Sequence, residues 1–127
     1  MKYLLDTHTL LWFLAGSDKV GKEAISIIED DALGKAVSVA SLWEFSIKLS
    51  LGKLRFDGGI RALSLLLTAN RFAVAPISLA SLDQLTQIPW IHSDPFDRLL
   101  VATALAEDYT LLTADQCIQQ YPVRWQW

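Results

Sequence analysis

The sequence has 127 residues, 52% of them hydrophobic, and a mean hydropathy of +0.29, which excludes a disordered chain and predicts one compact domain over residues 1–127. Its apolar runs are too short to span a membrane, and its single cysteine excludes an internal disulfide and a cysteine zinc cluster. The formal net charge is −3, from 11 basic and 14 acidic residues, so the total charge does not favour nucleic acid, and we expect a cytoplasmic protein outside the membrane.

Short apolar runs alternate with segments of helical periodicity along the chain. In chain order the pattern predicts a strand at 2–6, helices at 9–15 and 20–29, a strand at 36–39, helices at 41–51 and 60–69, a strand at 72–75, helices at 79–88 and 94–107, and a strand at 109–113. A short helix is expected in the polar stretch that follows, and the tail at 123–127 is a candidate for a last strand.

Strands that alternate with helices in this way favour an α/β fold, here a three-layer α/β/α sandwich around a mainly parallel sheet. The predicted strands are almost entirely apolar, as expected when helices cover both faces of the sheet. Open sheets of this kind bind ligands at the edge formed by the carboxyl ends of the strands. Functional side chains are therefore expected at that edge.

Four carboxylates fall at positions that the predicted fold brings to this edge. Asp6 ends the first strand, and Asp115 follows the last long strand. Glu44 lies in the first turn of the helix after the second strand, and Asp97 lies in the first turn of the helix at 94–107. Because an isolated buried carboxylate is costly, Asp6 is the hardest of the four to explain as purely structural.

The other acids also have structural explanations, which stay open. The spacing Ser41-x-x-Glu44 is that of a capping box. Asp94 is a candidate N-cap, which would leave Asp97 as a first-turn acid, and Asp115 is a candidate cap of the short last helix.

Convergence of the four carboxylates would favour a bound metal ion over separate structural roles. Carboxylates a few ångströms apart repel one another, which raises their pKa values and destabilises the fold unless a cation lies among them. Oxygen ligands without nearby cysteines or paired histidines suit Mg²⁺ or Mn²⁺. An ion held in this way orients and activates a water molecule against a phosphodiester. The sequence therefore indicates a metal-dependent nuclease.

Four short motifs occur in order and at fitting intervals along nearly the whole chain. They are Leu4-Leu5-Asp6-Thr7-His8, Ser38-x-x-Ser41-x-x-Glu44-x-x-x-Lys48, Asp94-Pro95-Phe96-Asp97-Arg98 and Leu111-Leu112-Thr113-Ala114-Asp115. Each motif alone is weak, but the ordered set is specific. Together they resemble the PIN-domain ribonucleases, and more closely the VapC-type toxins of bacterial toxin–antitoxin systems.

The resemblance implies roles for the acids and a set of partners. Asp6, Glu44 and Asp97 would correspond to the three central acids of the family's metal site, and Asp115 to the more variable fourth. The family fold is a parallel-sheet α/β/α sandwich, in agreement with the pattern of elements. Members of the family cut RNA with Mg²⁺ or Mn²⁺, commonly form homodimers and are neutralised by a small antitoxin.

Five further polar residues are candidates for supporting roles. We expect the hydroxyl groups of Thr7, Ser38 and Thr113 to hold the carboxylates, Thr113 above all. His8 stands where the family often has a small polar residue, and we expect it to support the site or the local structure. Asp94 is either a further acid near the metal or an N-cap, and its position favours the cap.

RNA contact requires positive charge around the acidic centre. The segment from Lys48 to Arg61 has four basic residues against one acid, a local charge of +3 (4 − 1). We predict that Lys48, Lys53 and Arg55 contact RNA and that Arg98 holds a phosphate in a bidentate manner. An ordinary solvated surface is the alternative explanation of these charges.

The sequence also contains five tryptophans. We predict that the helices carrying Trp12 and Trp43 form an apolar groove for an antitoxin segment, and Trp125 and Trp127 favour an interface.

Two other functions stay open. One is a catalytically silent interaction protein with the same fold. The other is a phosphotransferase of the haloacid-dehalogenase type, which also begins with an aspartate after a strand but needs a second acid two residues later, where this sequence has His8.

Overall fold

The computed structural model describes residues 2–127, and over these residues the chain forms five strands and seven helices in the predicted order. The strands are β1 (Lys2–Leu5), β2 (Gly34–Ser38), β3 (Phe72–Ala75), β4 (Thr110–Leu112) and β5 (Trp125–Gln126). The helices are α1 (Thr7–Leu14), α2 (Lys22–Glu29), α3 (Val39–Ser50), α4 (Gly59–Ala69), α5 (Leu79–Leu85), α6 (Pro95–Glu107) and α7 (Gln116–Gln119). None of these helices combines the length and the apolar character that a bilayer crossing requires.

The five described strands form one parallel sheet in the order β3-β2-β1-β4-β5. In this register Leu5 of β1 lies beside Val37 of β2 and beside Leu112 of β4. The carboxyl ends of the three central strands are therefore level. Residues that follow these strands, among them Asp6 and Thr113, begin at one edge of the sheet.

Two apolar cores lie on opposite faces of the sheet. Tyr3 and Leu5 of β1 belong to the core formed with α1 to α4, whereas Leu4 between them belongs to the core formed with α5, α6 and α7. Successive side chains of a strand point to opposite faces, so helices cover both sides of the sheet. The predicted three-layer α/β/α sandwich is confirmed, and the last predicted strand is present as β5.

The main differences from the predicted elements are at helix ends. Helix α1 begins at Thr7 because Asp6 caps it, and α3 begins at Val39 because Ser38 caps it. Helix α5 ends at Leu85, three residues earlier than predicted, since Pro89 follows closely and disfavours helical geometry in the residue before it.

Candidate active site

Asp6 is fixed at the edge of the sheet by hydrogen bonds to both carboxylate oxygens. Its Oδ1 accepts from the amide of Thr9, 2.7 Å away, which caps α1. Its Oδ2 accepts from the hydroxyl group of Thr113, 2.5 Å away, at the end of β4. The side chain is buried, and these donors compensate part of the cost of burying its charge.

Asp94 is the N-cap of α6, as the sequence predicts. Its Oδ1 accepts from the amides of Phe96 at 2.8 Å and Asp97 at 3.1 Å, and Pro95 stands at the first helical position. The cap uses the backbone of Asp97 and leaves the Asp97 carboxyl group free to face the edge of the sheet.

The carboxyl group of Asp97 is buried among like charges. Burial raises the pKa of Asp97 to about 7, the carboxylates of Asp94, Asp6 and Asp115 add to the rise, and His92 opposes it. These three neighbours come from different elements of the chain. Asp6, Asp97 and Asp115 therefore form one electrostatic cluster at the carboxyl edge of the sheet.

His92 joins two of these acids, although the sequence does not single it out. Its Nε2 lies 3.0 Å from Oδ2 of Asp115 and 3.2 Å from Oδ2 of Asp97. Its Nδ1 accepts a hydrogen bond from the amide of Asp94, 3.1 Å away. Because an amide can only donate, Nδ1 carries no proton, and the ring's proton is on Nε2, between the two carboxylates. The only sequence signal for His92 is its place just ahead of the helix that carries Asp97.

Asp115 is the N-cap of α7, as the sequence predicts, and it has further hydrogen bonds. Its Oδ1 accepts from the amides of Cys117 at 2.8 Å and Ile118 at 3.1 Å, which caps α7, and its own amide donates to the hydroxyl group of Thr113. Burial by itself raises the pKa of Asp115, but hydrogen bonds from His92 and from the two capped amides outweigh it, and the pKa is lowered. The two acids that His92 joins thus have pKa values shifted in opposite directions.

A thiol lies beside this pair. Within residues 2–127, the donor atoms of His92, Asp115 and Cys117 are the one group of three or more histidine, cysteine and acidic ligands that lie within 4.8 Å of one another. This group is not arranged as a zinc site, because Nε2 of His92 carries a proton and has no lone pair to give to a metal.

Glu44 lies in the second turn of α3 instead of the first. The predicted capping box is wrong: Oγ of Ser38 accepts from the amide of Ala40 at 3.0 Å, so Ser41 lies inside the helix. Oε2 of Glu44 pairs with Nζ of Lys48 at 3.1 Å, an i,i+4 ion pair on one face of α3.

The three hydroxyl residues expected to hold carboxylates have different partners. Thr113 donates to Asp6. Thr7 instead donates to Oγ of Ser41 at 3.0 Å, which joins α1 to α3, and Ser38 serves as the cap of α3. The expectation for Thr7 and Ser38 is therefore corrected, since neither hydroxyl group contacts an acid.

Arg98 also departs from its predicted role. The residue is 4% exposed, and its Nη1 donates to the carbonyl of Pro89 at 2.8 Å and to the hydroxyl group of Tyr121 at 3.3 Å. Its Nη2 donates to the carbonyl of Leu85 at 3.4 Å. With its guanidinium group held by these neutral acceptors, Arg98 does not present the two free nitrogens that bidentate phosphate binding requires.

His8 borders the acidic cluster, and the segment after α3 carries the exposed basic residues. His8 is exposed, and it lines a cavity of about 270 Å³ together with Asp6, Trp12, Ala114 and Asp115. Lys53 and Arg55 are exposed, and Phe56 beside them packs on Phe45 with ring centroids 5.2 Å apart. The segment that carries these basic residues therefore packs back against α3.

Helix α3, which carries Trp43, helps to form an apolar groove, but Trp12 and Trp43 themselves do not line it. Trp12 packs on Trp127 at 6.0 Å between ring centroids, and Trp43 packs on Phe96 at 5.2 Å. This groove of about 300 Å³ lies between α3, α4 and β3. Its apolar lining residues are Leu42, Ile60, Leu63, Leu67, Phe72 and Val74.

The structure thus gathers three of the four predicted acids electrostatically. Glu44 pairs with Lys48 on α3, a helix that packs on α6 through Trp43 and Phe96. In the described chain, 2–127, no three of these acids bring their oxygens within 4.8 Å of one another. The acids stay apart because like charges repel and because each carboxylate is held by its own hydrogen bond or ion pair. The donor set consists of oxygens, and the raised pKa of Asp97 shows a carboxylate without enough positive charge nearby, so these residues fit a divalent cation.

The fold and the site define a class of protein: an α/β/α sandwich with an acidic cluster at the carboxyl edge of its parallel sheet. The chain matches the family model described as PIN domain over residues 3–123, and it belongs to that family. PIN domains are generally nucleases. No curated protein matches the sequence closely enough to count as a relative.

Several solved structures share the fold at low sequence identity. VapBC2 from Rickettsia felis, bound to a DNA fragment from its promoter, is 17% identical with a TM-score of 0.77, and 99% of this chain and 98% of that chain are covered. VapBC-1 from nontypeable Haemophilus influenzae is 22% identical with a TM-score of 0.71, covering 99% and 97%. A toxin–antitoxin complex from Klebsiella pneumoniae is 18% identical with a TM-score of 0.67, covering 95% and 93%.

Proposed function

We propose that this PIN domain is an endoribonuclease that depends on Mg²⁺ or Mn²⁺ and acts in the cytoplasm as the toxin of a toxin–antitoxin pair. One observation carries the proposal. The buried carboxyl group of Asp97 faces the charges of Asp94, Asp6 and Asp115, and its pKa is raised to about 7. Such a cluster is costly to the fold, and a divalent cation is the ligand that would relieve the cost.

Asp6, Asp97 and Asp115 would hold the ion, with Glu44 as a further ligand from α3. When bound, the ion supplies Lewis-acid stabilisation of a phosphoryl oxygen and lowers the pKa of a water molecule. The supporting residues have defined tasks. Thr113 holds Asp6 by its 2.5 Å hydrogen bond, and the Nε2 proton of His92 orients the carboxylates of Asp97 and Asp115.

Substrate contact would come from the basic segment beside the site. Lys53 and Arg55 are exposed in the segment that follows α3, and we propose that they contact the phosphates of an RNA strand. Lys48 is paired with Glu44, and its charge is shared between that acid and the substrate.

A cleavage assay tests the activity. Purified protein with Mg²⁺ or Mn²⁺ should cut RNA, EDTA should stop the cutting, and Asp6→Asn and Asp97→Asn should abolish it. Asp18→Asn removes an exposed acid outside the site and should cleave like the wild type. Sequencing of RNA ends after induced expression would map the target, and undiminished cleavage by both site variants would refute the assignment of the acids.

Metal binding has a readout that does not depend on activity. Mn²⁺ should raise the melting temperature of the wild-type protein, because a ligand that binds only the folded state stabilises it by mass action. The rise should be lost in Asp97→Asn and retained in Asp18→Asn. An equal rise in all three proteins would place the ion elsewhere.

The antitoxin partner is supported by the apolar surface of α4 and β3. Leu65 is 74% exposed, and Ile60 and Val74 at the groove between α3, α4 and β3 are partly exposed as well. We propose that an apolar helical segment of the antitoxin covers this face, and that the toxin forms a homodimer. Co-expression of a small protein encoded beside this gene should restore growth, and Leu65→Asp should weaken the complex without changing RNA cleavage. Sedimentation of the free protein tests the dimer.

A further inference from the structure

Trp90 has a setting that the proposed activity does not use. It lies in the segment between α5 and α6, and at 81% it is the most exposed of the five tryptophans. One face of its indole ring is covered by the guanidinium group of Arg98, whose Cζ is 3.6 Å from the ring centroid. The ring is thus backed by a cation on one side and open to solvent on the other.

Arg98 is a rigid support for this ring. It is buried, and it donates hydrogen bonds to the carbonyls of Pro89 and Leu85 and to the hydroxyl group of Tyr121. Within residues 2–127 no carboxylate lies at ion-pair distance from it, so its charge acts on the indole without a neutralising partner. A fixed cation under an exposed aromatic ring lowers the entropy lost when a flat ligand stacks on the outer face.

The same segment connects the ring to the acidic cluster. Trp90 is two residues from His92, which limits the distance between their Cα atoms to about 7.6 Å. The hydroxyl group of Tyr121 accepts from the amides of Ile91 at 3.1 Å and His92 at 2.8 Å. The Tyr121 hydroxyl group therefore contacts both Arg98, which lies beneath the indole, and the backbone of His92, whose ring contacts Asp97 and Asp115.

Trp90 borders a cavity of about 410 Å³, a volume typical of sites for small molecules. Trp90 and Arg98 line it together with Leu85, Thr86, Ser93 and Pro95. Pro95 begins α6, the helix whose first turn carries Asp97.

We propose that Trp90, supported by Arg98, is a stacking platform for one unpaired nucleobase of the RNA, adjacent to the phosphodiester that is cleaved. The inference rests on the proposed function and adds a substrate requirement to it. Stacking on an indole ring needs a base whose face is free, so the platform selects single-stranded or looped RNA and tolerates different bases. A protein partner could also cover Trp90, but the charged support and the link to His92 favour a nucleobase beside the site.

Binding of RNA to a cleavage-deficient protein tests the platform. All proteins carry Asp6→Asn, and the probe is a short single-stranded RNA that spans the mapped cleavage site. Trp90→Ala should weaken binding roughly 5- to 100-fold, as expected for loss of one stacked base. Trp90→Phe keeps an aromatic face and should restore most of the affinity. Trp125→Ala, at an exposed tryptophan on β5, is the matched control and should bind normally.

Abasic nucleotides identify the partner of the ring. One abasic position in the probe should weaken binding to the parent protein by a similar factor and should have no further effect on Trp90→Ala, because both changes remove the same contact. The platform is overturned if the two losses add, or if Trp90→Ala binds like Trp125→Ala. It is also overturned if Trp90→Ala leaves RNA binding unchanged but alters the oligomeric state of the free protein or of its complex with an antitoxin. Trp90 would then be a protein contact. A wild-type protein that cleaves no RNA would refute the proposed function, and the platform with it.

Discussion

The acids of this site differ in how their charge is compensated. Asp6 accepts two hydrogen bonds, from Thr9 and Thr113, and Asp115 accepts hydrogen bonds from two amides and from His92. Asp97 has only its contact with His92 to set against burial and three neighbouring carboxylates. A metal ion bound at the proposed site would displace the proton of Asp97, whose carboxyl group carries the main electrostatic cost within the cluster.

Asp97→Asn should stabilise the metal-free protein in a pH-dependent way. Asp97 has a pKa of about 7 in the folded chain against 3.8 as its ordinary value, so its contribution to stability is full below pH 4 and is lost as the pH rises through 7. The free energy of unfolding of the wild type should fall by roughly 2–4 kcal/mol over that range from this group. Urea unfolding in EDTA should show Asp97→Asn equal to the wild type near pH 4 and more stable at pH 8.

Asp18→Asn is the control for this measurement, because Asp18 is exposed and lies outside the cluster. A variant at Asp97 that loses more than about 2 kcal/mol at every pH would mean that its side chain stabilises α6 instead, since loss of a cap costs about 1 kcal/mol.

His92 should be a structural part of the metal-free site. His92→Phe keeps a ring of similar size but removes the N–H shared by Asp97 and Asp115 and leaves the amide of Asp94 without its acceptor. The free energy of unfolding in EDTA should fall by about 1–3 kcal/mol, the usual cost of leaving such groups unsatisfied. His8→Phe changes the other histidine, which is exposed, and should alter stability by less than about 0.5 kcal/mol. Equal stabilities for the two variants would contradict a bridging role for His92.

Among the elements, strands and helix interiors follow the sequence more closely than helix starts. The parallel strands are apolar because both faces are buried, and β3 has its predicted bounds. The start of α3 is ambiguous in the sequence, where Ser38-x-x-Ser41-x-x-Glu44 offers two serines as caps. The choice falls to Ser38 because β2 extends to it by pairing with Ala75 of β3, a contact between strands that local pattern does not contain.

The cap of α3 can be tested by two substitutions. Ser38→Ala should lower the free energy of unfolding by about 1 kcal/mol, because the amide of Ala40 loses its acceptor. Glu44→Gln removes only the pair with Lys48, a partly exposed i,i+4 interaction worth about 0.3–0.5 kcal/mol. Urea unfolding at neutral pH with EDTA compares the two variants. A larger loss of unfolding free energy from Glu44→Gln than from Ser38→Ala would favour the capping box.

At the scale of the whole molecule, the site could be predicted where it depends on the ends of strands and, for Asp97, on the start of α6. Asp6, Thr113 and Asp115 follow strands, and a parallel sheet brings strand ends to one edge whatever the order of its strands. The contact of His92 with Asp115 spans 23 residues and depends on how the segment before α6 folds back, which Tyr121 near the carboxyl end of the chain determines. The sequence places Arg98 directly after Asp97 and so predicts a phosphate contact, but the hydrogen bonds of its guanidinium group to Pro89 and Tyr121 depend on contacts that the local pattern does not contain.

The distribution of charge over the whole molecule limits how the protein can hold RNA. The net charge is −3, and two of its 11 basic residues, Lys35 and Arg98, are buried against carbonyl groups. Lys48 pairs with Glu44. The other eight basic residues are exposed and spread over the surface, and among them Lys53 and Arg55 lie in the segment that follows α3.

We expect the affinity for single-stranded RNA to depend on salt with a shallow slope that these two residues dominate. For single strands the slope of log K against log salt is about −0.7 for each phosphate contact, so Lys53→Gln with Arg55→Gln should make it shallower by about 1.4. The measurement is fluorescence anisotropy of a labelled RNA with the Asp6→Asn protein over a range of KCl concentrations. Lys22→Gln with Arg124→Gln removes the same charge elsewhere on the surface and should lower affinity slightly without changing the slope. If both double variants change the slope equally, the RNA responds to the total charge of the protein and not to contacts beside the acidic cluster.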